Sequence, residues 1–440
     1  MGGATQRGGG WRLRLAGVIA IAVAVTASIA LPALAGSAKT QLVSRNSAGD
    51  AATGESTDPS ISASGRFIVF ESRADNLGGS GSNADVYVRN RETGKTRVVS
   101  TTSGGDPVGN SGVSSLGGAI SADGRYVVFH SNSMSLPGDH TGGYYNVYIH
   151  DRKTGKTKLV SKTSGGDPAT GGHSDFATVS ASGRYVAFSS QATNLPGDHS
   201  YPNVYIHDRE TGKTRLMSVT SGGDPATGGQ SVGALVSPSG RYVGFESNAT
   251  NLGGDNLYTD VFVHDRKTGK TRLISQNSAG DPATGNDSYG GWISGSGRFV
   301  GFESGATNLP GDHTGSHFNV YVRDLKTRKT KLVSRNSAGK PTTDESFRAL
   351  ISDSGRYVAF VSESTNLPGD HTYRNVYLRD RKTGKTKLVS RTSGGAPVAG
   401  GHSDSPAISA SGGFVAFVSE GTNLPGDHLF RNVYVRGPLR

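Results

Sequence analysis

Five Asp-His pairs are the residues here whose types could do chemistry: Asp139-His140, Asp198-His199, Asp312-His313, Asp370-His371 and Asp427-His428. A carboxylate beside an imidazole can ligate a metal or move protons. Each pair closes the same string, Leu-Pro-Gly-Asp-His. A catalytic site is unique, whereas a structural turn repeats. The pairs therefore read first as turns, with Pro-Gly bending the chain and Asp accepting backbone N–H groups. The sharper alternative is a weak calcium site in each repeat, built from Asp and loop carbonyls; no other cofactor and no other metal is called for. Loops on a rigid scaffold often carry recognition, so these ten residues are the candidate binding site.

Other strings carry less. Gly229-Gln230-Ser231-Val232-Gly233 matches a nucleophile elbow, which needs a strand-to-helix turn under a hydrolase sheet. Here it lies in a loop whose sibling reads Gly172-His173-Ser174-Asp175. Thr211-Gly212-Lys213-Thr214 resembles the end of a phosphate loop. The required earlier glycine is His207, and a strand follows instead of a helix. Glu71, Glu246 and Glu303 follow a strand phenylalanine in three repeats, where His130, Ser189 and Val361 stand in others. They are the carboxylates worth testing for catalysis, although spacing shows no unique cluster around them. His150, His207 and His264 share a place with Arg89, Arg323, Arg379 and Arg436. A position that takes either type reads as a solvated rim. Trp292 reads as filler of a local gap rather than a pore residue.

The elements that position these residues repeat seven times. The leaders Ile61, Ile120, Val179, Val236, Ile293, Ile351 and Ile408 each open a Ser-x-x-Gly turn. One unit, residues 174–218, resolves into four short strands, a to d: 174–180, 184–190, 203–208 and 214–218. A four-stranded antiparallel sheet per repeat of this size is a propeller blade, and stacking buries its two faces. The seventh unit ends at Arg440 without a strand d. Thr40-Gln41-Leu42-Val43-Ser44 matches the strand Thr386-Lys387-Leu388-Val389-Ser390 at four of five positions. The fold expected is an all-β, seven-bladed propeller, closed by the N-terminal strand pairing into the last blade. Closure removes two exposed edges.

The pattern [Ile/Val]-Ser-x-[Ser/Asp]-Gly-Arg-[Tyr/Phe]-Val-x-Phe-x-Ser resembles the WD40-like (PD40) repeat of TolB-type propellers. Asn-Val-Tyr-Val-Arg-Asp and Thr-Gly-Lys-Thr-x-Leu-Val-Ser continue the match across the array. The resemblance implies a propeller and permits a binding role. It does not imply membership of the Tol system, because the α/β domain that precedes the propeller in TolB has no counterpart here. Such propellers also serve as substrate gates and enzyme scaffolds.

Arg7, Arg12 and Arg14 precede an apolar run from Leu15 to Leu34, which ends at Ala33-Leu34-Ala35. This reads as a signal peptide, residues 1–35, ahead of one propeller domain, residues 36–440. The chain carries +11 formally, three of it in the leader, so the mature protein carries +8. That charge is spread through the repeats, which argues against nucleic acid. With no cysteine, disulfides and thiolate chemistry are excluded. Strand order sorts the loops: b–c and d–a connections on one face, a–b and c–d on the other. The second face carries a basic ring that includes Lys156, Lys213, Lys270, Lys329 and Lys385, suited to an anionic surface. The expected role is a secreted, monomeric, non-enzymatic binding or scaffold protein that recognises a protein or an anionic cell-envelope polymer through its loop faces. No membrane span is expected after leader cleavage. The alternative is an extracytoplasmic hydrolase or lyase at the central channel.

Overall fold

The computed structural model describes residues 38–439, apart from 82, 109–113, 139, 256 and 312–316. The leader falls outside the described residues, as do Asp139, Asp312 and His313. Seven four-stranded antiparallel sheets follow one another, each in the order a-b-c-d. In the third blade these are Ser174–Val179, Tyr185–Ser190, Asn203–Asp208 and Lys213–Leu216. The strand d missing from the seventh blade is supplied by Lys39–Leu42, with Thr40 opposite Arg436 and Leu42 opposite Tyr434. The ring is therefore closed as the repeats require. Among the described residues no helix is long and apolar enough to cross a membrane.

Each blade owes its thickness to one aromatic pair, a strand b Phe on a strand c Tyr or Phe. Phe188–Tyr205 and Phe302–Tyr321 are examples, with ring centroids 5.6 and 5.3 Å apart. Val and Ile around these pairs interlock with the next sheet. Val69, Val86 and Val88 of blade 1 share one cluster with Val127, Phe129 and Tyr148 of blade 2.

Adjacent blades are also joined at the a–b turns. The Gly183 turn lies against the Tyr126 ring of the preceding blade, and a Cβ there would sit 2.1 Å from it. Gly183 has φ +75°, so the turn needs glycine for both reasons. Tyr126 is also sandwiched by Arg125 at 4.7 Å and Arg209 at 4.3 Å, the latter from the next blade. Arg184 meanwhile grips Asp208 with two bonds of 2.8 and 2.7 Å. This pairing recurs at Arg125–Asp151, Arg241–Asp265, Arg298–Asp324 and Arg356–Asp380. Backbone bonds link successive turns around the ring, as from Ala63 N–H to Ala122 O, from Ala122 to Ala181 O and from Ala181 to Pro238 O.

Candidate functional site

The innermost strands are not regular. In blade 1, Thr57 pairs with Glu71 and Ser60 with Val69, so two residues, Asp58 and Pro59, face one. Such a bulge places one residue in the left-handed region and turns its side chain out of the ladder. All seven blades bulge at the same place. The left-handed residues are Asp58, Gly117, Phe176, Gly233, Gly290, Arg348 and Ser405, with φ between 46° and 105°. Each lies three positions before its repeat's Ile or Val leader. Four of the seven are not glycine, and each of those holds a backbone that L-residues rarely adopt.

These strands enclose a central cavity of about 600 Å³, lined by Asp58, Gly117, Phe176, Gly233, Arg348 and Ser405 together with Trp292 of blade 5. By register the ring lies in the half of the channel nearer the b–c loops. Phe176 is 62% exposed and lines the cavity. Among the described residues neither Asp58 nor Arg348 has an ion-pair partner. Equivalent places in near-identical repeats thus present an acid, a phenyl ring, a guanidinium and a hydroxyl to one space.

Three carboxyl groups support the ring from behind. Glu71 Oε1 accepts the Gly117 N–H, Glu246 Oε1 accepts the Gly290 N–H at 2.7 Å, and Glu303 Oε2 accepts the Arg348 N–H. Each reaches from strand b of one blade to the bulge of the next. Burial pushes all three up to about 7, and the nearby Asp58 charge adds to the effect on Glu71. His130 holds the same strand position in blade 2. Burial lowers it to about 4, with the nearby His173 contributing, and its buried Nδ1 has no hydrogen-bond partner. Its ring packs edge-on against Tyr145, 5.2 Å between centroids. A Cβ on Gly117 would meet the His130 ring at 2.8 Å, so Glu71 and His130 converge on a residue that must be glycine. Spacing in the sequence shows no unique cluster, yet folding assembles one from Asp58, Glu71 and His130. A buried carboxyl that titrates near neutrality and a neutral imidazole in the channel wall can donate or accept one proton each.

The described loop residues singled out by sequence do not line this ring. Asp198 Oδ1 accepts the Ser200 N–H at 2.9 Å, Asp370 accepts from Thr372 at 3.0 Å and Asp427 from Leu429 at 3.0 Å. Asn203, Asn375 and Asn432 cap the three aspartate carbonyls. His199, His371 and His428 are exposed, and His140 bonds Leu136 O through Nε2 at 2.7 Å. Among the described residues no three His, Asp or Glu side chains are grouped to hold a metal ion. Lys156, Lys213, Lys270, Lys329 and Lys385 open their strands d with exposed side chains.

Two sequence readings are corrected. The His150 and Arg89 position is not a solvated rim: its seven residues are 3–7% exposed. His150 Nδ1 bonds Thr157 Oγ1 at 2.9 Å. Arg89 Nη1 donates to Thr96 Oγ1 and to the Arg45 and Asn46 carbonyls of the preceding loop. Both side chains bond the threonine hydroxyl of the neighbouring strand d, so either can serve. Trp292 is the second correction: it lines the channel, beside the glycine pair Gly290-Gly291.

No protein-family model matches the chain, and no curated protein matches it. Many solved structures do. The β-propeller domain of the Trilobed protease from Pyrococcus furiosus aligns at 12% identity over 88% of this chain and 94% of that one, TM-score 0.52. An oligogalacturonate lyase from Vibrio parahaemolyticus aligns at 13% identity over 91% and 90%, TM-score 0.50. TolB from Acinetobacter baumannii aligns at 14% identity over 78% of this chain, with TM-score 0.41, and the chain spans 65% of its length. At these identities the likeness is one of fold.

Proposed function

We propose that this protein is an exported, non-enzymatic binding propeller whose ligand enters the central channel from the b–c loop side. One observation carries the reading. Asp58, Phe176, Arg348 and Ser405 stand at equivalent strained positions, differ in chemistry and open onto the same cavity. Strain of this kind costs on the order of 1–3 kcal/mol per residue and is retained where it aims a functional group. The b–c loops would form the outer part of that site. The exposed lysines would supply a separate attraction to an anionic envelope polymer, weakened by salt. Calcium in the Asp-His loops is a proposal of its own: a thermal midpoint that falls on chelation supports it, and an unchanged midpoint removes it.

The absence of cysteine gives a direct test. Ser405→Cys places a single fluorophore in the channel wall, and Lys213→Cys places one on the far face. The two labelled proteins are titrated with soluble fractions of isolated cell envelope. A saturable response at position 405 without one at 213 supports the channel. A response at 213 alone, or at neither, overturns it. The second reading, hydrolase or lyase, rests on the Asp58, Glu71 and His130 cluster. It predicts turnover of a bound fraction that Glu71→Gln abolishes with binding intact.

A further inference from the structure

Three consecutive blade interfaces hold a feature the channel does not use. Where strand c of one blade meets the loop leaving the preceding strand d, two arginines approach each other. The pairs are Arg335 with Arg379, Arg391 with Arg436, and Arg45 with Arg89, at the interfaces of blades 5 and 6, 6 and 7, and 7 and 1. The other four interfaces carry Thr101 with His150, Lys162 with His207, Val219 with His264 and Gln276 with Arg323.

Among the described residues none of these six arginines has a carboxylate partner. Arg379 Nη1 is held by the Arg335 and Asn336 carbonyls and Thr386 Oγ1, at 2.9, 3.0 and 2.7 Å. Arg436 and Arg89 are held the same way. The Nε atoms of Arg45, Arg335 and Arg391 are buried without a hydrogen-bond partner. Burial, and then the neighbouring guanidinium, lowers Arg89, Arg379 and Arg436 to about 10. Two of the interfaces open as clefts, of about 640 Å³ beside Arg45, Arg89 and Arg91 and about 570 Å³ beside Arg335, Arg379 and Arg381.

The sequence removes acid from the same places. The loops carry Asp106, Asp167, Asp224 and Asp281 at the four other interfaces. At two of the arginine-paired interfaces the equivalent residues are Lys340 and Ala396. At the third, Asp50 remains but is exposed and accepts from Asn46 Nδ2. Paired buried cations without a direct carboxylate partner gain most from an anion supplied from outside. Planar guanidinium forks match the oxygens of phosphate better than any other side chain.

We propose that the three arginine-paired interfaces are oxyanion sites and that together they hold successive phosphate groups of one polyanionic chain. Linking three weak sites through one ligand raises affinity without new contacts.

The test is calorimetric titration of the full mature chain with inorganic phosphate and with long-chain polyphosphate. The variant is R45Q/R335Q/R391Q, because Arg89, Arg379 and Arg436 also staple the blades. Polyphosphate is expected to bind at least about 100-fold tighter than phosphate, and the triple variant to lose at least about tenfold. K156Q/K213Q/K270Q, which takes the same charge from the basic ring on the opposite arc, should weaken binding clearly less than the arginine variant does. Native-like binding by the arginine variant, or equal loss in the lysine variant, overturns the sites. Equal affinity for phosphate and polyphosphate overturns the single-chain arrangement. Should the triple variant not fold, R335Q decides: phosphate should raise the native thermal midpoint above chloride at equal ionic strength, and less so in R335Q. No phosphate effect on the native midpoint overturns the proposal.

Discussion

Glu246 Oε1 accepts the backbone N–H of Gly290 at 2.7 Å, joining the fourth blade to the bulge of the fifth. Glu71 and Glu303 make the same bond at two other interfaces, and no carboxylate is available for it at the remaining four. The central ring is therefore braced unevenly, by groups whose protonation changes near neutrality.

The pH dependence follows from the direction of the shift. Burial raises Glu246 from 4.5 to about 7, so the folded state binds the proton more tightly than the unfolded one. The stabilisation is complete below pH 4.5 and is lost as pH rises to about 7. His130 and His207, lowered to about 4, oppose it between pH 6.5 and 4. The difference between native and Glu246→Gln isolates the carboxyl. The native protein is expected to lose roughly 2 kcal/mol more than the variant between pH 4.5 and 7.5, measured by urea unfolding. Parallel profiles would show that Glu246 is not protonated in the fold.

Gly183→Ala tests the blade stacking. Its Cβ would enter the Tyr126 ring, and its φ of +75° is strained for alanine. A loss of roughly 2–4 kcal/mol is expected, measured by denaturant unfolding. Gly212→Ala in a c–d hairpin shares the positive φ (+71°) but has nothing within 4 Å. It should cost about 1 kcal/mol.

Ring closure gives a third expectation. Ser44 Oγ bonds Asn432 Oδ1 at 2.8 Å, and Arg436 Nη1 bonds Thr40 Oγ1 at 2.7 Å. Deleting residues 36–44 would expose the strand Asn432–Gly437 as a bare edge. Self-association and a broadened thermal transition are expected by light scattering and calorimetry. Deletion of residues 1–35 alone should leave both unchanged.

The fold was legible because one pattern recurs seven times and its orphan strand sits at the opposite end of the chain. The candidate site was not, for a physical reason. A bulge needs one extra residue and a left-handed backbone, and Asp58-Pro59 or Phe176-Ala177 announces neither. Because the four non-glycine ring residues all differ, a search for repeats passes over them. The Asp-His pairs repeat, so they attract attention, yet the described aspartates Asp198, Asp370 and Asp427 accept turn N–H groups. Burial of His150 and Arg89 was equally hidden, since it depends on a threonine seven residues further on and on the loop of another repeat packed over both.

The most direct measurement of the channel account substitutes glycine for the strained residues, in the protein labelled at Ser405→Cys. Phe176→Gly and Arg348→Gly remove a side chain and a strained backbone together. Each is expected to hold stability or raise it by up to about 1 kcal/mol. Each should also weaken the response to envelope fractions at least about tenfold. Loss of stability with ligand response intact would contradict the account, because those side chains would then serve the fold and not the ligand.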